Sequence, residues 1–253
     1  MTATFLDDSI GCRNARDKLQ FRQRYRGGSI VGMGIRVNIG CGQSPTPGWH
    51  NYDNSPAIWI GRSRLAAGAL RMLGLLNQGN LSYIAYCRQN NIRYADAIKH
   101  IPYADGSVSV IYSSHMVEHL DRTEARRFMQ ECHRALESGG ILRIAVPDLL
   151  PLARAYVAGG SADAFLSSCV LELGKPRGLT ARLHHVVFGG REHHWMYDGA
   201  SLSRLMMDAG FVDAKVLQAG KTNIPDPGEL NLRERESESV YVEGRKQSPA
   251  ATF

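Results

Sequence analysis

Val37-Asn38-Ile39-Gly40-Cys41-Gly42 is the stretch on which the fold turns. Apolar residues from Ile35 to Ile39 suit a buried strand, and two glycines one residue apart stand at what would be its carboxyl end. Glycine there lets a ligand lie against bare backbone, and open α/β sheets bind ligands in the crevice outside strand carboxyl ends. Taken alone, the pattern is also that of a plain glycine turn between two elements.

The residues that follow narrow the reading. A dinucleotide fold needs a helix straight after the glycines, because its N-terminus holds the pyrophosphate. Here Gly42 leads into Gln43-Ser44-Pro45-Thr46-Pro47-Gly48, with Pro45 in place of a third glycine. Two prolines so close discourage a regular helix. A ligand with an adenosine but no phosphate does not need that helix, and S-adenosylmethionine is such a ligand. Trp49 to Tyr52 reads as a second strand closing at Asp53. An ionised carboxylate offers only acceptors, which suits both hydroxyls of a ribose. The link between the two strands is short against the usual dozen or so residues of a parallel crossover, so the first helix is reduced or missing.

At 253 residues, with 43% apolar composition, the chain can bury one sizeable core as a globular protein. The net charge of +6 and pI near 9.2 are modestly basic. No nucleic-acid signature accompanies that charge, so no nucleic-acid partner is expected. The five cysteines, Cys12, Cys41, Cys87, Cys132 and Cys169, form no C-x-x-C pair, which argues against a disulfide or zinc framework and for a reducing cytoplasm. Asp7 and Asp8 stand where a signal peptide would be apolar. No window approaches ~18 unbroken apolar residues, so no membrane span is expected.

Residues 1–34 read as a basic extension with a short helix around 14–25. The catalytic domain is expected over 35–244, and a flexible tail over 245–253. Within the domain, 56–92 is a helical insertion interrupted by Gly61, Gly68 and Gly74, suited to a lid, a homodimer face or a buried helix. Ile92 to Ala95 reads as a third strand with Asp96 at its end, and Val108 to Ser113 as a fourth. Asp121 and Glu124 spell a capping box before a helix carrying Ala125, Phe128, Met129, Cys132 and Leu136. Gly139-Gly140 stops that helix, and Ile141 to Val146 is the next strand. A helix through Leu202, Leu205, Met206 and Ala209 precedes two edge strands, Phe211 to Leu217 and Ser239 to Val242. Strands alternating with helices predict a doubly wound, mostly parallel α/β sheet covered on both faces.

These residues in this order resemble class I S-adenosylmethionine-dependent methyltransferases. More narrowly, they resemble a bacterial group of the methyltransferase type 11 kind, with N-[IL]-G-C-G followed by P-G-W-x-N-x-D, then S-H-M-x-E-H-L. The later matches are Val146-Pro147-Asp148-Leu149, His193-His194-Trp195-Met196-Tyr197-Asp198 and Glu238-Ser239-Val240-Tyr241-Val242-Glu243. The resemblance implies a Rossmann-like sheet of seven strands with the last antiparallel. It also implies S-adenosyl-L-methionine as cofactor. Gly40 and Gly42 would pass under its methionine part, Asp53 would hold the ribose, and Asp96 would accept from the adenine amino group. Asn38, Cys41, Asn54 and Ala97 would complete the cofactor set, and Ser114 and His115 would face the sulfonium. Relatives of this type are associated with polysaccharide and glycoconjugate synthesis, which implies a saccharide hydroxyl as acceptor, or else a small metabolite.

Methyl transfer is an in-line displacement at a carbon the sulfonium already activates, so much of the catalysis can come from alignment. An alcohol acceptor also needs a base, and histidine is best matched to that task. His115 and His194 come first, ahead of His119, His184, His185 and His193, with Asp148 as the alternative carboxylate. His115-Met116-Val117-Glu118-His119 also spells H-x-x-E-H, the inverted zincin motif, which makes a zinc metallopeptidase the rival enzyme class. A binding module that keeps the cofactor fold without turnover is the third reading. No metal ligand is assigned, since the motif starts directly after a buried strand.

Overall fold

The computed structural model describes residues 34–72, 74–171 and 192–247; the basic extension, His184 and His185 and the last six residues lie outside them. The strands are β1 (Ile35–Ile39), β2 (His50–Asp53), β3 (Arg93–Tyr94), β4 (Val108–Ser114), β5 (Leu136–Pro147), β6 (Phe211–Leu217) and β7 (Ser239–Lys246). They form one seven-stranded sheet in the order β3-β2-β1-β4-β5-β7-β6. β7 alone runs antiparallel to its neighbours, β5 and β6. This is the expected doubly wound order with its antiparallel last strand.

The helices are α1 (Pro56–Gly61), α2 (Arg64–Met72), α3 (Gln78–Gln89), α4 (Arg122–Ala135), α5 (Leu149–Val157), α6 (Ala162–Ser168) and α7 (Gly199–Asp208). The predicted capping box opens α4: Asp121 Oδ1 accepts from the N–H groups of Thr123 and Glu124, and Glu124 Oε2 accepts from Asp121 N–H. α4 ends at Ala135 rather than at the double glycine. Leu136 already pairs with Val108, and Ile141 resumes the ladder opposite Val110, so residues 137–140 form an outward bulge. Gly140 must lack a side chain there, because a Cβ would lie 2.9 Å from Glu137 O.

No helix joins β1 to β2. Instead the turn is closed by side chains: Asn38 Nδ2 donates to Ser44 O and Thr46 Oγ1, while Asn51 exchanges bonds with the Thr46 backbone. The expected loss of the first helix therefore holds, and amide side chains replace helical hydrogen bonds.

The two sheet faces are covered differently. Val37, Ile39, Ile111, Leu142, Ile144 and Val242 pack against Phe128, Met129 and Cys132 of α4 and Leu202 and Met206 of α7. On the opposite face, Val110, Tyr112 and Ile141 pack against Trp49, Ile224 and Leu230. Among the described residues that second cover comes from the first turn and the link between β6 and β7, not from helices. Its polar centre is Arg143, wholly buried, whose Nη1 donates to Glu243 Oε1 at 2.7 Å and to Lys221 O at 2.9 Å. Nη2 donates to Leu232 O, so one guanidinium holds both ends of the link.

Further differences from the sequence reading concern lengths. β7 runs on to Lys246, beyond the expected domain end at 244, because Val212 and Phe211 pair with Arg245 and Lys246. α7 packs into the core through Leu202 and Met206, as its helical spacing predicted.

The buried pair yields a stability prediction. Arg143→Met leaves the Glu243 carboxylate buried without its cation and should cost about 3–5 kcal/mol in urea unfolding. The double change with Glu243→Leu should recover part of that loss. A single-variant cost under ~1 kcal/mol would show that the guanidinium is not holding the link.

Candidate active site

Parallel pairing brings the carboxyl ends of β1, β2, β3 and β4 to one edge, with Ile39 opposite both Tyr52 and Ser113, and Asp53 opposite Tyr94. Gly40, Asp53, Asp96 and His115 follow directly from those positions. Most of the residues singled out in the sequence thus share one rim.

The glycines differ in what they face. Both adopt positive φ, +69° at Gly40 and +49° at Gly42. A Cβ on Gly40 would lie 2.6 Å from Met116 Cγ, whereas one on Gly42 would meet nothing within 4 Å. Gly40 therefore admits Met116, and Gly42 leaves the open backbone. Gly40 and Cys41 both donate their N–H to Tyr52 O, which folds the turn over β2. Cys41 is buried, and burial, with Asp53 nearby, pushes its thiol up, so it stays protonated. Asn38 is only 1% exposed; its Nδ2 serves the turn, and its Oδ1 has no hydrogen bond among the described residues.

Asp53 is clamped at the end of β2. Its Oδ2 accepts from Gly42 N–H at 3.0 Å and its Oδ1 from Ser55 N–H at 2.8 Å. Burial raises its pKa, and those two N–H groups oppose the rise. Each oxygen keeps a second lone pair for a ligand hydroxyl. Asp96 is partly exposed, with Lys99 Nζ 2.9 Å from its Oδ2. Ala97 beside it is buried. Of the described cavities, one of about 510 Å³ lies between α1 and α3, and one of about 440 Å³ lies by the first turn and Arg93. Neither of these two is lined by Gly42, Asp53 or His115.

His115 holds a left-handed backbone, φ +50°, at the end of β4. Its N–H donates to Ala145 O. Its Nε2 lies 2.8 Å from Ser239 Oγ, and its Nδ1 lies 3.3 Å from both Arg235 Nη1 and Glu118 Oε1. The side chain is only 9% exposed. The oxygens of Ser113, Ser114 and Tyr197 are buried without hydrogen-bond partners among the described residues, and so are both oxygens of Glu118.

H-x-x-E-H does not form the helix an inverted zincin requires. Met116 follows the left-handed His115, and Val117–His119 is a single 3₁₀ turn. His115 and His119 are therefore not one helical turn apart on one face, and the metallopeptidase reading loses its geometry. His119 Nδ1 donates to Glu192 O and His193 Nδ1 to Cys169 O, with the two rings edge to face at 5.1 Å. Burial lowers the pKa of His193. His194 and Trp195 are exposed, and both backbone N–H groups donate to Glu118 O, tying this segment to the β4 turn. Asp148 caps α5 by accepting from Leu150 N–H, and its backbone pairs with Tyr197.

Glu118, Arg235 and Ser239 were not ranked as site residues from sequence, though Glu118 and Ser239 fall inside the quoted motifs. Glu118 meets His115 from three residues along the chain, whereas Arg235 and Ser239 reach it only because β7 lies beside β5, which no local pattern encodes.

Residues 76–144 match the model of the methyltransferase domain family. That stretch runs from α3 into β5 and leaves out the glycine turn. No curated protein sequence shows significant similarity to the chain. Among solved structures, an S-adenosylmethionine-dependent methyltransferase of Thermotoga maritima is similar at 18% identity and a TM-score of 0.44, over 86% of this chain and 84% of that one. One from Archaeoglobus fulgidus is 14% identical over 92% and 96%, with a TM-score of 0.42. Phosphoethanolamine N-methyltransferase 2 of Haemonchus contortus, solved with S-adenosyl-L-methionine, is 12% identical with a TM-score of 0.44, and the chain spans 53% of its length. Over residues 76–144 the chain is thus similar to a methyltransferase domain.

The two glycines separate experimentally. Gly42→Ala should cost about 1–2 kcal/mol of stability, the left-handed penalty alone. Gly40→Ala adds the overlap with Met116 and should cost more, with overpacking contributing about 1–3 kcal/mol. Met116→Ala should rescue part of the Gly40→Ala loss in denaturant titrations. Equal costs without rescue would show that Met116 does not occupy the space Gly40 leaves.

Proposed function

We propose that the chain transfers the methyl group of S-adenosylmethionine to a hydroxyl of a small acceptor, a saccharide by preference, at the rim formed by β1, β2 and β4. The observation that carries this reading is Asp53: a half-buried carboxylate held by two backbone N–H groups beside the open Gly42. Its remaining lone pairs suit the two ribose hydroxyls, and Asp96 at the end of the neighbouring strand suits the adenine amino group. The saccharide preference rests on the motif resemblance given above.

His115 is our choice for the base. Its Nε2 contacts Ser239 Oγ, and Ser239 is only partly covered. A serine hydroxyl both donates and accepts, so it can pass the acceptor's proton inward while the oxygen attacks the methyl carbon. The sulfonium leaves as a neutral thioether, and the proton rests on His115 Nε2. For Nε2 to take it, the resting proton sits on Nδ1, with that N–H turned to Glu118 Oε1 and Arg235 Nη1 turned from the ring, and the carboxylate offsets the charge gained. His194 is exposed, on the segment that reaches the same turn, and is placed to meet the acceptor rather than the reacting proton.

Calorimetry with S-adenosylhomocysteine tests the anchor. Asp53→Ala should weaken binding by about 1–3 kcal/mol, the cost of losing hydrogen bonds to a charged group. Because burial raises the folded pKa of Asp53, its ionised form is lost above the ordinary carboxylate range. Affinity should therefore fall as pH drops through that raised value, and Asp53→Asn should abolish the limb. The same shift means that protonation relieves the free fold at Asp53, so this loss of affinity is not acid unfolding of that site. Unchanged affinity in Asp53→Ala would sink the ribose assignment.

A methyl-transfer assay tests the base. Screened against hydroxylated acceptors with labelled cofactor, His115→Gln should lower kcat ~10²–10⁴-fold while cofactor affinity stays near normal. Ser239→Ala should lower kcat in the same direction and less. Full turnover in His115→Gln would pass the role to His194, His119 or Asp148, or to alignment alone.

A further inference from the structure

We propose that Glu118, His119 and His193 form a binding site for a borderline divalent cation, zinc in the first instance. The inference stands independently of the methyl-transfer reading, and it departs from the sequence expectation that no metal ligand is present. One ligand atom from each of the three residues lies within 4.8 Å of the others.

The carboxylate points to a missing partner. Glu118 is 1% exposed, yet neither oxygen has a hydrogen bond among the described residues. Among the described residues its ion-pair partner is His115, whose Nδ1 lies 3.3 Å from Oε1. An ionised carboxylate buried in this way is costly unless a cation pairs with it.

The histidines are set for coordination. A carbonyl oxygen can only accept, so the contacts to Glu192 O at 2.9 Å and Cys169 O at 3.0 Å place the proton of each ring on Nδ1. Nε2 of both His119 and His193 then carries a lone pair that accepts no hydrogen bond among the described residues. A backbone carbonyl that fixes the tautomer from the far side of the ring is the usual outer arrangement around a metal-bound histidine. Two imidazoles and one carboxylate are a known ligand set for zinc with an open coordination position. Bonds of about 2.0–2.2 Å require the ligand atoms to close to about 3.3–3.6 Å, a short rotation of side chains. The backbone is already fixed for this, since His194 and Trp195 both donate to Glu118 O, at 2.7 and 3.1 Å.

This set is not the inverted zincin pair. His115 is not a ligand, and Glu118 is a ligand rather than a base. Glu118 has two oxygens, so one can bind the cation while the other faces His115. The open position can take water or an acceptor oxygen, next to the histidine proposed as base.

The test uses the full chain, stripped with chelator and titrated with Co²⁺ as a spectroscopic probe. One equivalent should bind, with visible absorption of low-symmetry, four- or five-coordinate Co²⁺, and Zn²⁺ should displace it. Glu118→Gln, His119→Ala and His193→Ala should each weaken binding by more than the ~10–100-fold attached to outer-shell partners. His115→Gln and His133→Ala should keep wild-type stoichiometry. Circular dichroism checks each fold, and the near-isosteric Glu118→Gln decides the matter should a histidine variant unfold. No stoichiometric binding by the wild type, or unchanged binding in Glu118→Gln, overturns the site. So does loss of binding in His115→Gln with retention in His193→Ala.

Discussion

The buried pair of Arg143 and Glu243 is the interaction on which the described architecture depends. It lies at the register point where β5 and β7 are directly opposed. A wholly buried guanidinium is costly unless its donors find protein acceptors, and here Nη1 and Nη2 reach Glu243, Lys221 O and Leu232 O, while Nε has no partner among the described residues. Those two carbonyls belong to the long link between β6 and β7, which therefore folds flat over the sheet. The same link carries Glu234, bonded to Tyr112 Oη, and Arg235, beside His115. A polar centre in the second face thus sets what stands around the end of β4.

That polar face explains how far the sequence could be read. The strands and their carboxyl-end residues were legible because each is a local pattern: an apolar run followed by Gly40, Asp53, Asp96 or His115. The capping box before α4 was legible for the same reason. Arg143 was not, since a charged residue within an apolar strand declares no partner until Glu243 is placed opposite it. Residues 137–140 misled in the other direction. A double glycine reads as a helix stop, yet it serves a bulge inside the β4–β5 ladder, where the strand has already begun.

The missing first helix has a similar cause. Pro45 and Pro47 excluded it from the sequence alone, but what replaces it lies in side-chain amides. Asn38 and Asn51 close the turn by bonding the backbone of residues 44–49. Asn38 was assigned to the cofactor from resemblance, and its Nδ2 also shapes the turn. With no helix at the glycines, no helix dipole faces a ligand there. The rim then relies on Asp53, a carboxylate, and suits hydroxyls better than phosphates.

Two buried carboxylates in one molecule make the closing contrast. Glu243 receives donors from Arg143, from Thr222 Oγ1 and from the backbone and side chain of Asn223. Glu118 is equally buried and receives no hydrogen bond among the described residues. A fully served carboxylate is one that folding alone can explain, because its desolvation is offset by its partners. An unserved one carries a penalty of several kcal/mol that, among the described residues, only the His115 ring at 3.3 Å is placed to offset. The difference is one of position. Glu243 lies mid-sheet, where only structure is at stake. Glu118 lies just past the end of β4, between the histidine that faces Ser239 and the two whose Nε2 lone pairs accept no hydrogen bond among the described residues. Its charge is directed at the place where a ligand of this fold would arrive.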